Sequence, residues 1–122
     1  MMKKEEMIES LKTLLADLLG VEYEIINEGT SLVDDLGAES IDFVDLCYQM
    51  EKKYKIGVVK LADIYPKERD GQYSEEKVQE LLNQYPYMNG VMHEKFKEQK
   101  SFHVINTFLA LEEFLYWRIQ NA

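Results

Sequence analysis

The sequence predicts an all-α helical bundle, and three observations support that prediction. Its 122 residues suit one domain. Its apolar residues recur at spacings of three and four rather than in strict alternation. Glycine and proline are scarce, with six and two residues, whereas hydrophobic residues make up 46% of the chain. These features favour a compact bundle of helices over a β-structure or a disordered chain.

The first predicted helix runs from about residue 4 to residue 19. Six apolar residues form one stripe along it: Met7, Ile8, Leu11, Leu14, Leu15 and Leu18. Gly20 follows as a natural C-cap. Residues 20–39 then lose the helical period and are rich in turn formers, so we expect a long loop that is pinned to the core. The expected pins are apolar: Ile25, Ile26, Leu32 and Leu36.

A second helix is predicted from Ser40 to about Tyr54. Its expected buried stripe consists of Phe43, Leu46, Cys47, Met50 and Tyr54. Asp42 lies in the first turn and Lys52 and Lys53 lie in the last, which complements the helix dipole at both ends.

The remainder of the chain predicts further helices. Residues 58–100 form an extra, partly helical segment with a short turn at 61–65 and a helix that Ser74 caps and that ends near residue 83. The last helix, about 104–119, has the highest apolar content and must be largely buried. Residues 1–122 are expected to form a single domain.

The charge of the chain excludes some classes of partner. Fourteen basic and 23 acidic residues give a formal net charge of −9, which disfavours nucleic acid and unaided docking to an anionic membrane. From Glu22 to Glu51 the chain has nine carboxylates and no Lys or Arg. A patch of this kind either steers a basic protein partner or serves as a solvated face.

Cysteine content and the N-terminal residues bear on location. The single cysteine, Cys47, cannot form an internal disulfide, and the first residues lack the apolar stretch of a signal peptide. No segment reaches the roughly 20 apolar residues that a membrane span needs. We therefore expect a soluble protein of the cytoplasm.

One motif carries chemical information. Thr30 to Leu46 reads TSLVDDLGAESIDFVDL, which resembles the modification site of acyl carrier proteins, D-[DE]-L-G-x-D-S-[LI]-[DE]-x-[VI]-[DE]-L. The matching residues are Asp34, Asp35, Leu36, Gly37, Ala38, Ser40, Ile41, Asp42, Val44, Asp45 and Leu46. Glu39 stands where the family usually has Asp, with the charge retained. The resemblance implies an acyl-carrier-like four-helix bundle with extra helices, and a 4′-phosphopantetheine group attached to Ser40.

The residues around Ser40 agree with such a role. Ser40 stands where a loop becomes a helix, so its hydroxyl is expected to be exposed and near free backbone N–H groups. Gly37 permits a tight turn just before it. By similarity to the family, the second helix forms the face that binds partner enzymes, and its expected residues are Glu39, Ile41, Asp42, Val44, Asp45, Tyr48 and Glu51.

Patterns typical of catalysis or metal binding are not found. GAESI differs from the G-x-S-x-G elbow of serine hydrolases, and the acids near Asp34 do not form a calcium loop. His93, Glu94 and His103 have poor spacing and number for zinc. We therefore expect no catalytic residues, no metal and no enzymatic activity, and we expect Cys47 to be packed rather than reactive.

The chain is longer than a typical carrier, and two placements of the additional residues are open. In one, residues 74–82 close the bundle and residues 83–122 extend it. In the other, which we favour, the last helix closes the bundle and the additional residues are inserted after the second helix. Thr107 to Leu115 resembles the fourth helix of the family, T-V-x-D-L-x-x-F-[VI].

The resemblance implies a carrier whose arm holds acyl groups as thioesters and passes them between enzymes of lipid or other acyl-chain biosynthesis. Implied partners are a phosphopantetheinyl transferase, the acyl chain itself, and acyl-loading and acyl-transferring enzymes with basic docking surfaces. Two alternatives remain open: a peptidyl or aminoacyl carrier of a secondary-metabolite pathway, and an unmodified interaction module with the carrier fold.

Overall fold

The structure is a computed structural model that describes residues 2–121. Over these residues it is helical and contains no β-strand, which confirms the predicted fold class. The helices are α1 (Lys4–Leu19), α2 (Ser40–Tyr54), α3 (Glu75–Gln84), α4 (Gly90–Gln99), α5 (Phe102–Ile105) and α6 (Phe108–Gln120). Two 3₁₀ helices, Tyr23–Ile25 and Leu61–Asp63, lie in the connecting loops.

Helices α1 and α2 form where the apolar period predicts them. In α1, Met7, Leu11 and Leu15 are buried, and the helix ends at Gly20 in the left-handed region with φ 67°. α1 packs against both α2 and α6, and α2 packs against the second 3₁₀ helix. These four elements share one hydrophobic core, which also includes buried residues of α3, α4 and α5.

The long loop between α1 and α2 packs against the core, as predicted. Three of the four apolar residues expected to anchor it are buried. Ile26, Leu32 and Leu36 are buried, whereas Ile25 is 49% exposed. Ile25 ends the first 3₁₀ helix, and only one of two consecutive isoleucines there can face the core. Backbone N–H groups of Phe108 and Leu109 donate to the carbonyls of residues 30 and 28, so the start of α6 also holds this loop.

The predicted helix at 104–119 is broken. Val104 and Ile105 belong to the short helix α5, and α6 begins only at Phe108. Thr107 adopts an extended backbone conformation, and its hydroxyl accepts a hydrogen bond from the N–H of Ala110, so it is the N-cap of α6. Both segments nevertheless contribute to the core: Phe108 and Phe114 are at most 1% exposed, although Leu109, Trp117 and Ile119 are only partly buried.

Residues 66–101, here called the insert, leave and rejoin the bundle at one place. The N–H of Tyr73 donates to the carbonyl of Lys100 at 2.6 Å, and the N–H of Phe102 donates to the carbonyl of Asp70 at 2.9 Å. The predicted helical content of 58–100 is confined to the second 3₁₀ helix, α3 and α4; residues 64–74 are irregular. Ser74 caps α3 as predicted, accepting from the N–H of Lys77.

Candidate functional site

Ser40 lies at the first residue of α2, at the end of a tightly hydrogen-bonded loop. Gly37 adopts φ 71°, which favours glycine, and its N–H donates to the carbonyl of Val33. The next residue, Ala38, is buried and donates its N–H to the carbonyl of Leu32. Since the chain is anchored up to Ala38, the following residue pair is turned outward, and Ser40 is exposed.

The residue that caps α2 is Glu39 rather than Ser40. Glu39 has an extended backbone, and its carbonyl accepts from the N–H groups of Asp42 and Phe43. The N–H of Glu39 donates in turn to Asp42 Oδ2 at 2.8 Å. This reciprocal arrangement pairs the N–H groups of Glu39, Asp42 and Phe43 without the serine hydroxyl, which leaves Ser40 Oγ available for substitution.

The start of α2 also suits a phosphate. The N–H groups of Ser40 and Ile41 lie in the first turn of α2, where backbone N–H groups have no acceptor within the helix. A phosphodiester on Ser40 Oγ would lie beside these donors and at the positive end of the helix dipole. The exposed hydroxyl and these free donors therefore fit 4′-phosphopantetheine.

The exposed face of α2 combines apolar and acidic side chains, as the sequence predicts. Ile41, Val44 and Tyr48 are 73%, 71% and 57% exposed. Their spacing of three and four places them on one side of the helix. Glu39 and Asp45 are exposed beside them. This set forms an apolar strip with an acidic border.

Two of the predicted face residues have structural contacts of their own. Asp42 is half-buried and receives the Glu39 N–H. Glu51 is also half-buried, and its Oε2 accepts from the backbone N–H of Val59 at 2.9 Å. Glu51 therefore joins the end of α2 to the loop before the second 3₁₀ helix, which the sequence pattern does not reveal because the two residues are eight positions apart.

A cleft of about 320 Å³ lies between α2 and the second 3₁₀ helix. Its lining is mostly apolar: Phe43, Val44, Cys47, Tyr48, Glu51, Val59, Lys60 and Leu61. Sequence reasoning missed the last three residues. Val59 and Leu61 lie in a short run of mostly apolar residues around the start of the second 3₁₀ helix, so no period identifies them as lining residues.

Cys47 contributes its side chain to the cleft but is unsuited to act as a nucleophile. It is 7% exposed. Burial, with smaller effects from the Glu51 and Asp63 carboxylates, raises the pKa of the thiol to about 11. The thiol is therefore protonated near neutral pH, which agrees with the predicted packing role.

Arg118 of α6 holds the wall of the cleft. Its Nη1 donates to the carbonyls of Ile56 and Val58 at 3.2 and 3.0 Å, and its Nη2 lies 3.4 Å from Asp63 Oδ2. The guanidinium thereby links α6 to the loop and to the second 3₁₀ helix. No local signal in the sequence identifies this residue, because its partners lie about 60 positions away.

The structure also bears on membranes and metals. Among the helices within residues 2–121, none is both long and apolar enough to cross a membrane. In the described part of the chain, His, Cys, Asp and Glu side chains form no group of three or more that could hold a metal ion.

Comparison with known proteins places the site in a family. The family described as the phosphopantetheine attachment site matches residues 9–65, which include most of α1, all of α2 and the second 3₁₀ helix. The acyl carrier protein of Thermotoga maritima is 36% identical over 58 residues, covering 48% of this chain and 72% of that protein. No solved structure gives a significant match.

Two further relatives give the same result. The acyl carrier protein of Sinorhizobium fredii and acyl carrier protein AcpP of Rhizobium meliloti are each 38% identical over 53 residues, covering 43% of this chain and 68% of theirs. The chain therefore belongs to the acyl carrier protein family, whose members are carriers rather than enzymes and use 4′-phosphopantetheine as their prosthetic group.

Proposed function

We propose that Ser40 bears the 4′-phosphopantetheine group and that the protein passes acyl groups between enzymes of lipid or other acyl-chain biosynthesis. The observation that supports this most directly is the exposed hydroxyl of Ser40 at the start of α2, within the matched motif and outside the hydrogen bonds that cap the helix. When attached, the arm supplies a thiol that holds acyl groups as thioesters.

Attachment requires little of this chain beyond a reachable hydroxyl. Ser40 Oγ would attack a phosphorus of the coenzyme A pyrophosphate on a phosphopantetheinyl transferase. A phosphoester bond to Ser40 forms, a phosphoanhydride bond breaks, adenosine bisphosphate leaves and the serine proton passes to a base of the transferase. The free N–H groups at the start of α2 would then face the phosphodiester. Ser40 is thus a modification site and not a catalytic nucleophile.

The exposed face of α2 is the proposed docking surface for the transferase and for acyl-loading and acyl-transferring enzymes. Ile41, Val44 and Tyr48 provide apolar contact area, and Glu39 and Asp45 provide charge for a basic partner. Asp42 and Glu51 contribute charge from the border, but each is also bound within the chain. All of these carboxylates lie in the segment that contains no basic residue.

Residues 1–122 are proposed to act as one carrier domain in which α6 closes the bundle and the insert is additional. Two observations support this arrangement: α6 packs against α1, and the insert begins and ends at paired backbone segments. α3, the competing closing helix, packs instead against α4 within the insert.

Mass spectrometry after coexpression with a broad-specificity phosphopantetheinyl transferase tests the attachment site. The wild-type protein should gain the mass of one phosphopantetheine, and Ser40→Ala should gain none. Ser74→Ala is the matched control, since Ser74 is an exposed serine at another helix start whose hydroxyl caps α3. It should be modified like the wild type. Modification that persists in Ser40→Ala would refute the site.

The same measurement on protein purified from its own host separates the alternatives. An arm bearing an acyl group supports the proposal, and an arm bearing an aminoacyl or peptidyl group indicates a carrier of a secondary-metabolite pathway. A chain that carries no arm in its host, although the transferase modifies it, would indicate an interaction module.

A further inference from the structure

We propose that this carrier is restricted to short acyl groups, because Tyr65 and the aromatic rings of the insert fill the space behind the cleft between α2 and the second 3₁₀ helix. This inference rests on attachment of the arm at Ser40. The cleft is the natural place for the cargo, since Val44 and Tyr48 follow Ser40 at spacings of four and eight and share its side of α2. Both residues line the cleft.

The floor of the cleft is closed by buried side chains. Phe43 and Cys47 line it and are 8% and 7% exposed. Tyr65 stands directly behind them: its ring packs edge-to-face on Phe43 with centroids 6.1 Å apart. Burial, together with the adjacent Cys47 thiol, raises the pKa of Tyr65. An acyl chain that extended beyond Phe43 and Cys47 would contact the Tyr65 ring.

The insert adds a second layer of rings beyond Tyr65. Tyr87 is 1% exposed and packs edge-to-face on both Tyr85 and Phe114, with centroids 6.0 and 5.9 Å apart. Tyr85 and Tyr87 belong to the insert, and Phe114 belongs to α6. Together with Phe43 and Tyr65 these rings extend from the cleft floor to the closing helix.

Hydrogen bonds hold the rings and the cleft wall in place. The hydroxyls of Tyr85 and Tyr87 donate to the carbonyls of Ala62 and Ile64, at and just after the second 3₁₀ helix. The hydroxyl of Tyr65 donates to the carbonyl of Thr107 at 3.4 Å. Opening the cleft toward the interior would break these bonds and leave buried polar groups unpaired.

The opposite rim is fixed as well. Arg118 binds the carbonyls of Ile56 and Val58, and Glu51 binds the N–H of Val59. The wall is therefore tied to α2, to α6 and to the insert at the same time. A short acyl group fits the cleft as it stands, whereas a long one must remain in solvent or displace a hydrogen-bonded tyrosine.

The experiment loads the full-length protein with acyl-phosphopantetheine by means of a broad-specificity transferase and butyryl, octanoyl or palmitoyl coenzyme A. Cleavage of each thioester by hydroxylamine is then timed against the corresponding acyl pantetheine in solution. In the wild type we expect the butyryl thioester to be cleaved several-fold more slowly than its free counterpart. The palmitoyl thioester should be cleaved within two-fold of its free rate.

Tyr65→Leu removes the ring behind the floor and should extend several-fold protection to the octanoyl or palmitoyl thioester. Tyr73→Leu is the matched control, because Tyr73 is also buried but packs on Phe96 within the insert, whereas Tyr65 packs on Phe43 of the cleft floor. It should leave the order of protection unchanged. Tyr87→Phe is a milder variant for use if Tyr65→Leu does not fold. It keeps the ring but removes the hydrogen bond from the Tyr87 hydroxyl to the Ile64 carbonyl. It should slow cleavage of the palmitoyl thioester at least two-fold.

Palmitoyl protection equal to butyryl protection in the wild type would overturn the inference while leaving the carrier function intact. Equal effects of Tyr65→Leu and Tyr73→Leu on thioester cleavage would overturn it too. If Tyr65→Leu does not fold and Tyr87→Phe is used instead, palmitoyl cleavage at the wild-type rate in folded Tyr87→Phe would also overturn it. Absence of any transfer to Ser40 would instead refute the attachment site on which the inference rests.

Discussion

Helices α2 and α6 have similar lengths, 15 and 13 residues, but they meet solvent in opposite ways. α2 leaves Ile41, Val44 and Tyr48 largely exposed. α6 exposes no large apolar side chain in the same way, and it buries even the carboxylate of Glu112, which is 2% exposed. Two helices of the same chain therefore use apolar residues for different purposes.

The comparison shows that apolar content alone does not identify a binding face. α6 has a higher apolar content, but its side chains pack on α1, α5 and the insert. α2 is more polar, but its exposed apolar strip has an acidic border and lies beside Ser40. An exposed apolar strip of this kind is typical of a surface that binds partners.

Deleting residues 101–122 should have the largest effect on this comparison. The deletion removes α5 and α6, and with them the N–H donors of Phe108 and Leu109 that hold the long loop. We expect the fragment 1–100 to lose cooperative thermal unfolding, because the core that α1 and α2 share with α6 would face water. A cooperative melt near the full-length midpoint would contradict the proposal that α6 closes the bundle.

A pair of single substitutions serves as the control for that deletion. Phe108→Ala in α6 should reduce the free energy of unfolding by about 3–5 kcal/mol, because the ring is fully buried. Val44→Ala in α2 should change it by no more than about 0.5 kcal/mol, because that side chain is exposed. Urea unfolding of the full-length variants measures both.

Glu112 gives the second test, which concerns pH. Burial, followed by the Glu28 and Glu113 carboxylates, raises the pKa of Glu112 from 4.5 to about 7, although Lys4 and Lys12 oppose the shift. The folded state thus holds this proton more tightly than the unfolded chain does. The contribution of Glu112 to stability should therefore fall as pH rises from about 4.5 to about 7, and stay low above that range.

Urea unfolding of the wild type and Glu112→Gln at a series of pH values measures this contribution. As pH is raised from acidic to alkaline, the free energy of unfolding of Glu112→Gln should increase by about 1–3 kcal/mol relative to that of the wild type. Glu113→Gln is the comparison: it removes one of the two carboxylates that raise the Glu112 pKa, but it also breaks the 2.8 Å pair with Lys4, so any gain at high pH should be smaller than that of Glu112→Gln. If the difference in the free energy of unfolding between Glu112→Gln and the wild type did not change with pH, the Glu112 carboxylate would not be the source of the pH dependence.

The smallest expected effect concerns the acidic border of α2. Asp45→Lys should slow modification of Ser40 by roughly three- to ten-fold at low salt, because it reverses a charge on the proposed docking surface. The difference should shrink as salt screens the charges. Asp45 is preferable to Asp42 for this test, since Asp42 also receives the Glu39 N–H.

Rates of transferase modification at two salt concentrations measure this effect. Glu76→Lys is the matched control, being an exposed acid in the first turn of α3 in the insert. It should be modified at nearly the wild-type rate. Equal slowing by both substitutions would show that net charge, and not the α2 face, governs docking.

The sequence by itself determined the two helices that frame the site. α1 and α2 begin and end within a residue of their predicted bounds, because a stripe of apolar residues and the capping residues act within a few positions of each other. The family assignment and the exposure of Ser40 also follow from one short segment, since the loop turns and caps are formed by neighbouring residues.

Only the tertiary structure decided which distant residues meet. It brings Arg118 to the loop after α2, Tyr85 and Tyr87 to the wall of the cleft, and Glu112 into the core. It also gives Glu51 an internal partner and leaves Ile25 outside. Helix formation depends on contacts between residues three and four positions apart, which the sequence shows directly. The contacts of Arg118, Tyr85, Tyr87 and Glu112 depend instead on how the helices pack against one another, and the spacing of residues along the chain does not specify that packing.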